Sequence, residues 1–220
     1  HTLNMVWNPS EGIDLGFFLL RFYSLCWVLA FGLGWYIMKP IFIRENESVE
    51  SLDKLFVYTL VATMLGARLG HVIFYQSELF HEDPLSILLP ISTQPTLHFT
   101  GFAGLASHGA AIAIIIAMYI YSKKHLQKPL LYILDRMAIV SALGAAFVRL
   151  GNFFNSEIYG KPTGSNLGVI FKSKDAEMLP RHPTQLYEAL CYLILFIVLW
   201  KFYWNSNKKQ KTGFLFGLFM

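Results

Sequence analysis

A chain of 220 residues that is 55% hydrophobic and 16% aromatic, with 15% charged residues and a mean hydropathy of +0.45, lies outside the usual range of a soluble domain. Those values exclude an ordinary water-soluble protein and place the chain in a membrane. The net charge of +4 comes without a basic patch interleaved with aromatics, so nothing argues for nucleic acid.

Five apolar stretches approach or exceed the roughly 20 residues that a helix needs to cross the hydrocarbon core. They lie at about 15–38, 55–75, 101–121, 130–154 and 186–204. The sequence therefore predicts an all-α, polytopic helical membrane protein, with residues 1–220 as one transmembrane domain. A sixth apolar stretch begins near Gly213 and reaches Met220 after eight residues, so the chain is expected to be a fragment cut inside that segment. The start is unusual too, with His1 where an initiator Met belongs. Residues 1–15 lack a basic region, and no small-residue cleavage site follows the first apolar run, so that span is expected to be retained.

Lysine and arginine in the loops set the orientation. After the first, third and fifth spans stand Lys39, Arg44 and Lys54; Lys123, Lys124 and Lys128; and Lys201, Lys208, Lys209 and Lys211. The opposite side has none before the first span, none between the second and third, and Lys161, Lys172, Lys174 and Arg181 between the fourth and fifth. The N-terminus is expected outside. Cys26 and Cys191 both fall within predicted spans, which favours buried thiols over a disulfide framework or a metal site.

Four arginines lie inside or at the ends of spans. Arg21 falls about six residues into the first, about 9 Å below the outer boundary at about 1.5 Å per residue. Arg68 and Arg149 sit close to the outer ends of the second and fourth, whereas Arg136 is assigned to the inner leaflet. Ala67-Arg68-Leu69-Gly70 echoes Val148-Arg149-Leu150-Gly151, and each case puts a permanent charge beside a glycine that admits another helix or a ligand. His108 is placed seven residues into the third span, among Gly101, Ala103, Gly104, Ala106, Ser107, Gly109, Ala110 and Ala111, which permit close helix packing.

The most informative stretch runs from Val148 to Gly160, where Arg149, Asn152, Asn155 and Glu157 close an otherwise apolar segment. Lipid does not tolerate that mixture without a use for it. Residues 156–183, with Gly160, Pro162, Gly164, Gly168 and Pro180, read as a small extracytoplasmic cap. The fifth span then opens with Arg181-His182-Pro183-Thr184-Gln185-Leu186-Tyr187-Glu188, where Pro183 suits a first helical turn.

Each of these residues has an ordinary role available. Arginines near helix ends snorkel to headgroups, a lone histidine is commonly a packing residue, and Tyr23, Tyr159 and Tyr187 suit an interfacial aromatic belt. Glu157 has the option of merely pairing with an arginine. The coincidence argues for function, because snorkelling residues would divide between both leaflets, and here the inner leaflet keeps only Arg136.

The string from Arg149 to Gly160 resembles the signature of prolipoprotein diacylglyceryl transferases, bacterial inner-membrane enzymes. Arg21-Phe22-Tyr23, Ser107-His108-Gly109 and the block from Arg181 to Glu188 extend the resemblance over nearly the whole chain. Two departures stand out: Val148 where the family usually has glycine, and a family complement of seven spans whose next essential Arg and Glu fall on the sixth, beyond Met220. The resemblance implies a multi-pass protein of the bacterial cytoplasmic membrane. It implies transfer of the diacylglyceryl group of phosphatidylglycerol to the lipobox cysteine of a prolipoprotein signal peptide, with a thioether formed, glycerol 1-phosphate released and no cofactor.

Under that resemblance Arg149 holds the donor phosphate and His108 is the best candidate base for the acceptor thiol. Tyr23, Asn152 and Glu157 complete the catalytic set by fixing glycerol hydroxyls or orienting arginines. Arg68, Arg21, Gly160, His182, Tyr187 and Glu188 contribute to substrate binding, with Gly160 letting the backbone turn into the outer loop. Two other readings stay open. One is a multi-pass transporter or flippase for an anionic lipid or solute, against which the polar groups lie mainly on one side. The other is a non-catalytic scaffold that binds anionic lipid, which explains the arginines but not the grouping of His108, Tyr23 and Glu157.

Overall fold

The structure is a computed structural model that describes residues 5–16, 19–89, 91–93, 96–99, 104–164, 167–206 and 211–220. It is mostly helical, with short two-stranded pairings at the margins, as a polytopic helical membrane protein requires. In chain order it has β1 (Met5–Trp7), β2 (Gly12–Asp14), β3 (Leu19–Arg21), α1 (Phe22–Arg44), α2 (Val49–Tyr75), α3 (Leu79–Glu82), α4 (Leu85–Leu88), β4 (Ile91–Ser92) and β5 (His98–Phe99). There follow α5 (Ser107–Tyr121), α6 (Leu130–Phe154), β6 (Val169–Phe171), α7 (Thr184–Asn205) and α8 (Phe214–Phe219). By length and composition α1, α2, α6 and α7 are each able to cross a membrane. The chain divides into two compact units, one running to Ile41 and resuming at Leu134, the other spanning Phe42–Ile133.

Three helix starts differ from the sequence expectation. α1 begins at Phe22 rather than near residue 15, because Gly12–Asp14 and Leu19–Arg21 pair as an antiparallel hairpin ahead of it. The Asp14 carboxylate accepts a hydrogen bond from the Gly16 amide at 2.8 Å, and Gly16 supplies the left-handed conformation (φ 84°) that the turn needs. α2 starts at Val49, six residues early, where Ser48 caps it by accepting from the Ser51 amide at 3.0 Å. α5 starts only at Ser107 and continues past Tyr121 as a single π-helical stretch, Ser122–Leu126. Gly101 and Ala103 lie outside the described residues, as do His1, Lys208 and Lys209.

In the first unit α1 and α6 pack antiparallel through small residues. A Cβ on Gly34 would touch Val140, one on Gly144 would touch Ala30, and one on Gly151 would meet the Tyr23 ring at 2.7 Å and Cys26 at 3.4 Å. These contacts descend α1 as they climb α6, and small residues are what allow helices to approach closely where lipid gives no hydrophobic drive. Cys26 is accordingly buried. Cys191 is exposed on α7, contrary to the expectation of two buried thiols. At the other end of α6, buried Asp135 accepts from the amides of Gly213 at 2.7 Å and Phe216 at 2.9 Å, which ties off the start of α8.

The second unit rests on an equally close pair. Gly66 and Gly70, four apart on α2, press against Gly109, Ala110 and Ala113 of α5, and a Cβ on Gly70 would lie 2.7 Å from the Gly109 Cα. The Ala106 amide also donates to the Ala67 carbonyl at 2.9 Å. Buried Tyr121 donates its hydroxyl to the Ser51 carbonyl at 2.8 Å, which fixes the other end of α5 against α2.

Leucine at position 66 has nowhere to go, whereas Gly32 on α1 is exposed, with no neighbouring atom within 4 Å of where a Cβ would stand. Gly66→Leu is therefore expected to lower the thermal midpoint of the detergent-purified protein by several degrees, in line with overpacking costs of about 1–3 kcal/mol or more. Gly32→Leu should leave the midpoint within about two degrees, and equal midpoints for the two variants would refute the packing account.

Candidate active site

The polar centre of the first unit is assembled where α6 ends and α7 begins. Arg149 and Asn152 are three residues apart and so share a helix face. As α6 runs out after Phe154, its last carbonyls are taken up by following amides: Asn155 to Gly151, Ser156 to Phe153 and Glu157 to Asn152, each at 3.0 Å. Ser156 and Ile158 sit in the left-handed region at φ 55° and 59°. That conformation costs a non-glycine residue about 1–3 kcal/mol and persists only where its surroundings impose it.

The surroundings come from the first turn of α7. Gln185 donates through Nε2 to the Glu157 carbonyl at 2.7 Å, and Thr184 donates through Oγ1 to the Ile158 carbonyl at 3.1 Å. The strained turn in turn aims the Glu157 carboxylate back at α6, where its Oε1 accepts from Asn152 Nδ2 at 2.9 Å and from Asn155 Nδ2 at 3.3 Å. Asn152, itself buried, presents Oδ1 to Arg149 Nη1 at 3.4 Å. Arg149 Nε is held by Glu188 Oε2 at 2.6 Å. Nε and Nη1 are thus held, and among the described residues Nη2 makes no hydrogen bond. The Arg149 side chain is 27% exposed.

Of the residues singled out in the sequence, Arg149, Asn152, Glu157 and Glu188 come together in this centre. Tyr23, at the start of α1, lies against Gly151 on the same stretch of α6. His182 and Tyr187 pair on the approach to α7, Nδ1 to hydroxyl at 3.4 Å. Gly160 is needed for a reason other than turning: its φ is not left-handed, and a Cβ there would collide with Thr184 and His182, whose carbonyl accepts from the Gly160 amide at 2.9 Å. Arg21 is not embedded in a helix. It closes β3 outside α1, is exposed, and faces Glu11 at 3.8 Å.

Arg68 and His108 belong to the second unit. Arg68 is buried and clasps carbonyls, donating through Nη2 to Ser86 at 2.8 Å and through Nε to Ile87 at 3.2 Å. That grip holds the segment carrying α4, which Asp83 organises by accepting from the Thr93 amide and hydroxyl, both at 2.8 Å, and from Ser92 at 3.1 Å. Those bonds, led by the Thr93 amide, keep the Asp83 carboxyl below its ordinary value. His108 lies in the first turn of α5 rather than seven residues deep. It is exposed, with the Phe74 ring edge-on at 5.3 Å.

Sequence reasoning assigned no role to Asn155, Gln185 or Asp175. The first two had a signal, since both stand inside the quoted motifs at helix-turn spacing from named residues. Asp175 had none. It anchors the segment between α6 and α7 by accepting two bonds from Arg181, Nε at 2.7 Å and Nη2 at 2.9 Å, while Arg181 also reaches Glu177 at 2.6 Å and lies over the Tyr159 ring at 5.1 Å. Beneath it β6 pairs in parallel with β1, and Phe153, Val169 and Phe171 form a small core with Trp7 and Tyr159.

The hydrogen bond from Arg181 is the main reason the Asp175 carboxyl is held below its ordinary value. A depressed folded-state value means that the clasp contributes fully above the unfolded pKa, about 3.9, and is lost as pH falls through the lower folded value. Amide protection over residues 169–181, corrected for intrinsic exchange, should therefore hold from neutrality to about pH 4.5 and fall below about pH 4. Asp175→Asn should be weakly protected throughout, and wild-type protection in that variant would show that the ion pair is dispensable.

A family model described as prolipoprotein diacylglyceryl transferase matches residues 11–220. Among similar proteins, one from Tolumonas auensis is 39% identical over 217 residues, covering 98% of this chain and 79% of the relative. One from Chloroherpeton thalassium is 36% identical and covers 96% and 75%, and one from Bacteroides fragilis is 35% identical and covers 98% and 78%. All three are named phosphatidylglycerol–prolipoprotein diacylglyceryl transferase.

Proposed function

This chain belongs to the prolipoprotein diacylglyceryl transferase family, and from that premise we propose that its Arg149 centre holds the phosphate of phosphatidylglycerol while the diacylglyceryl group passes to a prolipoprotein. The chain is a transferase of the first step of lipoprotein maturation. The acceptor is the lipobox cysteine thiol of the incoming signal peptide. Its sulfur attacks the glyceryl carbon that bears the phosphate ester, the C–O bond breaks with its electrons going to the phosphate, a C–S thioether forms, and glycerol 1-phosphate leaves. The thiol proton passes to a base. The transporter and scaffold readings are set aside, since the relatives described above carry a transferase name.

The observation that carries the reading is the half-anchored guanidinium. Glu188 and Asn152 hold Nε and Nη1 of Arg149 and leave the two Nη2 hydrogens, one on each side of that nitrogen, to donate to phosphate oxygens. In a site of low dielectric such a donor pair stabilises the charge that develops on the leaving phosphate, and no reorganisation is needed when it does. Asn152 and Glu157 orient the fork, and His108 is the proposed base. The excess of Lys and Arg in the loops after the first, third and fifth apolar segments supports a cytoplasmic-membrane protein with residues 76–100 and 156–183 on the outer side. The segment at 156–183 then stands over the Arg149 centre as a cap, with the lipid bilayer around the helices.

Arg149→Lys keeps the charge but not the fork. Transfer from phosphatidylglycerol to a lipobox peptide is expected to fall about 100-fold or more, and a near wild-type rate would favour headgroup snorkelling for this residue. His108 is tested by pH. With His108→Gln the deficit should shrink between about pH 6.5 and 9.5, as the thiol, reference pKa about 8.5, ionises unaided. A deficit constant across that window would exclude the base role.

A further inference from the structure

The contacts around Arg149 close on themselves. Arg149 reaches Asn152, Asn152 reaches the Glu157 carboxylate, the Glu157 carbonyl is held by Gln185, and Gln185 lies one helical turn before Glu188, which returns to Arg149. Every link but one is made by a residue already placed in the centre. That one is Gln185. It is fully buried, and among the described residues its Oε1 has no hydrogen-bond partner, nor does the Oγ of Ser156, also fully buried, beside Glu157. A buried acceptor left without a partner carries a desolvation cost. Methionine would fill this space without that cost. What methionine lacks is the N–H that holds the Glu157 carbonyl.

We propose that Gln185 is a positioning residue for the transfer reaction, setting the direction of the Arg149 fork by holding the Glu157 turn and Glu188 in fixed relation. Its amide acts at both ends of the circuit. Through Nε2 it secures the backbone of the turn whose two left-handed residues would otherwise relax, and through the helix turn between positions 185 and 188 it carries that constraint to the carboxylate on Arg149 Nε. A fork turned by as little as about 1 Å loses its in-line hold on the phosphate, and errors of that size cost up to about 100-fold in rate. The inference rests on the assignment of Arg149 to the donor phosphate.

The test compares Gln185→Met and Gln185→Glu with wild type, using detergent-solubilised enzyme, phosphatidylglycerol and a lipobox peptide. Gln185→Met should fold and lose about 10- to 100-fold in kcat/KM. Gln185→Glu has the same shape but, ionised, no donor; protonated, it regains one O–H. Burial raises its pKa, so its deficit relative to wild type should shrink as pH falls from about 8 to 6, opposite in sense to the behaviour expected of His108→Gln. Gln185→Met within about threefold of wild type, or a Gln185→Glu deficit that does not change with pH, overturns the proposal. If Gln185→Glu does not fold, a cycle of Gln185→Met with Asn152→Ala decides: losses that fail to add support one circuit, and additive losses overturn it. An active Arg149→Lys removes the phosphate assignment itself, whereas an inactive Arg149→Lys beside an active Gln185→Met removes this inference alone.

Discussion

The ion pair between Arg149 and Glu188 is the constraint from which the polar centre follows. A guanidinium on an apolar helix needs a fixed counter-charge, and at 2.6 Å Glu188 supplies one. Removing one member of a fully buried pair costs about 3–5 kcal/mol, an upper bound here because both side chains remain partly exposed. With that pair in place the first turn of α7 is set against the last turn of α6. Gln185 and Thr184 then necessarily meet the carbonyls of Glu157 and Ile158, and the intervening turn has no freedom but to take its strained form.

The two arginine-containing echoes show how one local pattern serves two ends. In both, the glycine two residues after the arginine is where a neighbouring segment closes in: Gly70 against Gly109, Gly151 against Tyr23. The charges are answered differently. Arg68 is satisfied by neutral carbonyls of Ser86 and Ile87 and is buried, so its hydrogens are committed to holding a loop. Arg149 is held by a carboxylate at Nε and by an amide oxygen at Nη1. Sequence alone does not distinguish these cases, because the partners lie about 20 to 40 residues further along the chain, at distances no short motif encodes.

What was legible in the sequence was whatever lipid forces into composition. Apolar length disclosed the long helices, and the polar run after Val148 disclosed the centre, since neither survives in hydrocarbon by accident. The beginnings of helices were not legible. Leu19 and Leu20 are as apolar as the helix they precede, and in a membrane protein apolar periodicity does not separate strand from helix. The late start of α5 has a similar cause, with Gly104 left-handed at φ 74° against the His71 ring ahead of it. Gln185 was visible as a letter but not as a contact, because burial of an amide and the orphaning of its oxygen are properties of packing. Gly160 shows the converse: its identity was noticed for flexibility, whereas the structure uses its lack of a side chain.

The parallel pairing of β1 with β6 joins residues 164 apart in the chain, and it is reinforced by the bond from Trp7 Nε1 to the Phe153 carbonyl at 2.9 Å, 146 residues away. At translation rates of about 5–20 residues per second, Trp7 is made about 7–30 s before its partner exists. During that interval the whole of Phe42–Ile133 is synthesised, a unit with its own helix pair and able to close while the leading strand waits. The leading strand therefore has no partner until the segment beyond α6 has been made.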